Sequence, residues 1–162
     1  MKVLTGIFAI AMTVLACNTN LNNNIKSNNN VEEVITSIEV KITTDKTTYK
    51  IDEAIELSME VENKGEKQYT FLPWQTPVEN RFTGSCLNIA FNNKTIDYSG
   101  IMVKRKAPTQ NDYITLKTNE SAKGTVNLLN GYKLNKKGVY SIQFNGKFDG
   151  LPKSEKIEIE IE

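Results

Sequence analysis

The side chains that carry most protein chemistry are thinly represented in this sequence. It contains no histidine, which removes Ser-His-Asp and Cys-His catalysis and every zinc site built on imidazole. Cysteine occurs twice, as Cys17 and Cys86. With no histidine to activate it, Cys86 reads as a small buried packing residue rather than a nucleophile. No nucleophile, base or metal cluster stands out, so the expectation is a non-enzymatic protein without a cofactor or metal. What remains is recognition chemistry. Trp74, between Pro73 and Gln75, is either a rigid anchor for a partner or a plug at the open end of a core. Lys104-Arg105-Lys106 either grips a carboxylate-rich partner, with Arg105 suited to a bidentate pair, or forms a solvated loop. Glu79 and Asp112 are the carboxylates that could neutralise those cations within the chain and so make the group structural. Pro73 breaks a strand and Pro108 follows the basic run, which places both segments in loops. A strand down through residues 87–91 and back through Tyr98 brings those loops to one end of the fold. The candidate interaction surface is therefore Trp74, Thr76 and Pro77 with Lys104, Arg105 and Pro108.

A different chemistry attaches to Cys17. Lys2 and the apolar run of residues 3–16 have the parts of a secretory signal, and the run is too short for a transmembrane helix, which needs about 20 apolar residues. It closes Val14-Leu15-Ala16-Cys17, similar to a bacterial lipobox. That implies cleavage before Cys17 and its acylation, and two or more chains at about 0.8 kcal/mol per buried CH2 hold a protein on a bilayer durably. An intramolecular disulfide to Cys86 is then not expected. Residues 18–30 are mostly asparagine, too poor in apolar groups to offset the entropy of ordering them. The division expected is a signal peptide at 1–16, a lipidated cysteine and tether at 17–33, and one domain at 34–162. No acidic cluster follows the cysteine, which favours the periplasmic side of the outer membrane.

The elements that must position the candidate residues are strands. From Val34 the apolar pattern has period two: Ile38, Val40 and Ile42, then Ile55, Leu57, Met59 and Val61. Strands are predicted near 36–44, 54–62, 67–72, 86–91, 94–98, 113–116, 120–128, 138–146 and 154–162, with one short helical turn within 130–137. Seven to nine short strands joined by polar turns indicate an all-β, immunoglobulin-like antiparallel sandwich. Gly138-Val139-Tyr140 suits a tyrosine corner, whose hydroxyl bonds to nearby backbone at a strand entry; the alternative is an ordinary strand aromatic. The net charge of +1, with both signs scattered, does not suit a nucleic-acid binder.

Three blocks together carry a resemblance. They are Leu72-Pro73-Trp74-Gln75-Thr76-Pro77 with Glu79; Tyr98-Ser99-Gly100 through Lys104-Arg105-Lys106-Ala107-Pro108 to Asp112-Tyr113 and Leu116; and Val126-Asn127-Leu128 through Tyr132 and Leu134 to Gly138-Val139-Tyr140. In order and spacing this set resembles the non-catalytic amino-terminal domain of deuterolysin-like (aspzincin) zinc metalloendopeptidases. Members carry a His-Glu-x-x-His helix in a later domain, which a sequence without histidine does not contain. Together with the lipobox at Cys17, the resemblance implies a lipid-anchored module that binds a secreted peptidase, as inhibitor or chaperone in trans. The other readings are a structural or adhesive envelope lipoprotein, and a glycan or small-ligand binder stacking on Trp74 with Tyr98 or Tyr113.

Overall fold

Alternation of apolar and polar residues becomes strands here because each inward row finds an opposing row to bury it. The computed structural model describes residues 37–147 and 150–162; the signal, Cys17 and tether assignments lie outside the described residues. In chain order the strands are β1 (Ile38–Thr44), β2 (Thr48–Tyr49), β3 (Glu56–Asn63), β4 (Tyr69–Phe71), β5 (Leu87–Phe91), β6 (Lys94–Ile96), β7 (Ile114–Leu116), β8 (Ser121–Asn127), β9 (Gly138–Phe144) and β10 (Ile157–Ile161). They form a three-stranded sheet ordered β1-β3-β8, a five-stranded sheet ordered β2-β10-β9-β5-β6, and the pair β4-β7.

Register follows from burial. In β3 the buried set Leu57, Met59, Val61 and Asn63 alternates with half-buried or exposed neighbours. A slip of one residue would turn that row outward. Its partners are set accordingly: Met59 lies opposite Ile42 on β1 and Gly124 on β8. On the second sheet Ile89 pairs with Ile142, and Phe91 with Tyr140. The two inward faces share one apolar core that includes Leu57, Met59, Ile89, Leu128, Ile142 and Phe144.

The antiparallel sandwich expected from the pattern is what forms, with ten strands among the described residues. The additional strand is β2, two residues long and parallel to β10. Its signal is a single buried residue, Tyr49, held by a hydroxyl that donates to Asp45 Oδ1 at 2.7 Å. Several predicted ends are trimmed by two or three residues, at the starts of β3, β4 and β10 and the ends of β6 and β9. β9 stops at Phe144 because Ser154 Oγ accepts the Phe144 amide at 3.0 Å in place of a strand. β10 starts only at Ile157. The helical turn also sits earlier than predicted, at Leu128–Asn130, because the Asn127 side chain accepts the Leu129 amide.

Tyr140 does make the corner. Its hydroxyl donates to the Lys136 carbonyl at 2.9 Å and accepts the Lys136 amide at 3.0 Å. That staples the loop before β9 to the strand itself.

Candidate interaction site

The site is assembled at the loop that follows β4. Pro73 cannot donate to a ladder, and after it the chain turns at Gln75, whose φ of 58° lies in the left-handed region. Such a conformation costs a non-glycine residue roughly 1 kcal/mol or more and persists only where neighbours enforce it. Here the Gln75 amide donates to Glu79 Oε2 at 2.8 Å. Thr76 then caps a single 3-10 turn at Pro77–Glu79, with its side chain accepting the Val78 amide and Pro77 in the first turn. A proline suits that position because its missing N–H would have had no partner there.

Glu79 is the hub. Its Oε2 also accepts the Thr83 hydroxyl at 2.8 Å, and its Oε1 accepts Arg105 Nη2 at 2.6 Å. The two side chains of that ion pair are only 9% and 20% exposed, so the pair is far drier than a surface bridge. The Arg105 guanidinium lies over the Trp74 ring, Cζ 4.6 Å from the centroid, a cation–π contact of about 0.5–2 kcal/mol. Trp74, Arg105 and Glu79 thus form one brace between the loop after β4 and the segment before β7.

The whole turn rests on β8. Asn80 Oδ1 accepts the Thr125 amide at 3.0 Å, and Gly124 lies directly under the turn. A Cβ built on Gly124 would come within 2.5 Å of Val78 Cα and closer still to the Pro77 carbonyl oxygen. Glycine is there because backbone meets backbone.

The sequence-predicted surface is only partly assembled. Trp74 and Arg105 are brought together. Trp74 is half-buried, neither a core plug nor a free anchor. Thr76 and Pro77, expected on the outer surface, are buried; they are correctly placed in the loop but serve as its foundation. Lys104 and Pro108 are exposed on the same run as Arg105. Of the two candidate carboxylates only Glu79 meets the arginine. Asp112 instead accepts the Thr109 amide and hydroxyl at 2.8 and 2.7 Å, and those bonds hold its carboxyl below the usual range. The stacking alternative loses surface as well: Arg105 covers one Trp74 face, and Tyr98 donates its hydroxyl to the Ile101 carbonyl at 2.6 Å. Among the described residues no group of three His, Cys, Asp or Glu could hold a metal ion.

Sequence reading passed over Ile101, Met102 and Val103, which are 62%, 81% and 36% exposed. The signal available was a run of three apolar residues between Gly100 and the basic triplet, without the alternation that a half-buried strand requires.

Cys86 is fully buried, and desolvation pushes its thiol from 9.0 up to about 12. Burial similarly pushes Tyr132 to about 12. Both groups are neutral in their protonated forms and bind the proton more tightly when folded. Their contribution to stability is therefore present below pH 9 and is lost as pH rises through 12. Native Cys86 should react with a thiol reagent at pH 8 at least about a thousandfold more slowly than the same residue in urea, as read by peptide mass. Cys86→Ala should shallow the alkaline loss of stability. Full labelling of the native protein at pH 8 would refute the burial argument.

Comparison with known proteins bears on both fold and site. Over 90 residues the chain is 28% identical to a protein described as an extracellular protease from Aeromonas hydrophila. The match takes in 56% of this chain and 25% of the protease, so the chain spans about a quarter of that relative's length. Among solved structures, that of YcdA, a candidate lipoprotein from Bacillus subtilis, aligns over 77% of this chain and 37% of its own, at 13% identity and a TM-score of 0.38. An immunoglobulin-like domain model matches residues 37–162, most of the sequence. That extent agrees with the two sheets, their shared core and the tyrosine corner; the chain belongs to the immunoglobulin-like domain family.

Proposed function

We propose that this chain is a non-enzymatic interaction module, anchored in the bacterial envelope by lipid on Cys17, that binds a secreted peptidase in trans. The observation that carries the reading is the similarity to an extracellular protease over 90 residues, which engages only a quarter of that protein. A domain shared with part of a peptidase is suited to contact peptidase surfaces. The three sequence blocks narrow the partner to a zinc endopeptidase of the deuterolysin type, and two of them supply the Trp74–Arg105–Glu79 brace. The periplasmic side of the outer membrane is the proposed location. Fold alone would be an associational argument; the brace adds a half-buried tryptophan beside an arginine, two residue types enriched at interaction hot spots.

The test uses the full-length lipidated chain in detergent with a purified deuterolysin-like zinc endopeptidase. Binding with a Kd of about 10 µM or tighter, and altered cleavage of a reporter peptide, are expected. Absence of binding at about 100 µM by titration calorimetry would overturn the reading. For the anchor, Cys17→Ser should leave an unprocessed precursor that takes up no labelled palmitate; a mutant still processed and labelled would refute it.

A further inference from the structure

From Ile101 to Thr109 the chain runs without turn, bend or helix, and none of these residues has a positive φ. It is an extended segment that belongs to no sheet. Among the described residues, every hydrogen bond, ion pair and ring contact that ties it to the rest of the domain falls on an odd-numbered residue. The Ile101 carbonyl accepts Tyr98 Oη, the Val103 amide donates to the Thr83 carbonyl at 3.0 Å, and Arg105 joins Glu79 and Trp74. Thr109 is fixed by Asp112. In an extended chain the backbone groups and side chains of successive residues alternate in direction. The backbone ties at 101 and 103 therefore leave the opposite backbone edge to Met102, Lys104 and Lys106, and the Arg105 side chain, turned to the domain, leaves theirs on the other face. Among the described residues, the backbone N–H and C=O groups of those three make no backbone hydrogen bond. Their side chains are exposed, Met102 at 81%, and neither lysine has an ion-pair partner among the described residues.

We propose that residues 101–106 are an open strand edge, held from one side by the Trp74–Arg105–Glu79 brace, that pairs with an extended acidic segment of a partner protein. Strand addition satisfies the free backbone groups of Met102, Lys104 and Lys106. Glutamate or aspartate on the incoming strand neutralises Lys104 and Lys106, whereas Arg105 is already neutralised by Glu79. An apolar residue on that strand covers Met102. A lipid surface also attracts lysines flanking apolar side chains, but hydrocarbon offers no partner for unpaired amides and carbonyls, which favours the peptide. The partner class deepens the peptidase reading and rests on it only for the partner's identity.

The test uses the full-length chain in nanodiscs, with a synthetic peptide alternating glutamate and valine as probe and amide hydrogen exchange as readout. The expected result is slowed exchange across 102–106 on peptide addition. Affinity should fall at least about tenfold in the double variant Lys104→Glu, Lys106→Glu. Binding should also be lost when alternate peptide amides are N-methylated, which leaves charge unchanged. Protection at 102–106 by anionic lipid alone, with no response to the peptide, would overturn the proposal in favour of membrane docking. An N-methylated peptide that binds as well as the parent would overturn strand pairing. If the zinc endopeptidase binds while 102–106 remain unprotected, this edge is refuted and the peptidase reading stands. If the peptide binds and the endopeptidase does not, the edge stands and the peptidase reading fails.

Discussion

Glu79→Ala is expected to lower folding stability by about 2–4 kcal/mol, with the loss concentrated in the loops rather than the sheets. The carboxylate has three partners, the Gln75 amide, the Thr83 hydroxyl and Arg105. Removing one side of a largely buried ion pair leaves the other charge uncompensated, which costs roughly 3–5 kcal/mol when burial is complete. Arg105 keeps 20% exposure and can turn toward water, which shifts the expected cost about 1 kcal/mol below that range. The left-handed Gln75 also loses the bond that holds it. Urea denaturation should show the reduced stability, and hydrogen exchange should quicken at Gln75 and Val103 before it does in β3 or β9. Arg105→Ala should cost less, because Glu79 retains two of its three partners. A Glu79→Ala protein within about 0.5 kcal/mol of wild type would mean that the brace does not organise these loops.

Gly124→Ala should also be damaging, for a steric reason. Alanine or valine elsewhere in a strand usually helps, since glycine there sacrifices side-chain packing and chain entropy. At position 124 the added Cβ itself is the intruder, and it meets backbone atoms of Pro77 and Val78 rather than the movable end of a side chain. Either β8 or the 3-10 turn must shift, and overpacking of that kind costs about 1–3 kcal/mol, occasionally more. Because the turn carries Glu79, the displacement should also separate Arg105 from its carboxylate. Thermal unfolding together with Trp74 fluorescence would read both effects. An alanine variant as stable as wild type, with unaltered Trp74 emission, would contradict the close seating of the turn on β8.

Legibility in the sequence followed the physical source of each feature. The sandwich was readable because rows such as Leu57, Met59 and Val61 repeat at the strand period. The corner was readable because Tyr140 opens its strand after Gly138. β2 was not, since two residues carry no period and only the burial of Tyr49 marks them. Trp74 and Arg105 were recognised as a pair of loops meeting, but the outward placement of Thr76 and Pro77 was wrong. A Thr-Pro step before an acidic residue is also a capping signal, and in this protein that role buries both residues. The exposed edge at 101–106 escaped notice because what defines it is which backbone groups lack partners, a property that no residue type encodes.

The most direct measurement places a photocrosslinking amino acid at position 102 in the full-length, lipidated chain and irradiates the intact envelope. A crosslink from position 102 to a secreted zinc peptidase, identified by mass and absent when the same group replaces Glu158 on β10, is the expected result. Crosslinks to lipid alone, or equal yields from positions 102 and 158, would contradict the proposal that this edge is where the domain meets its partner.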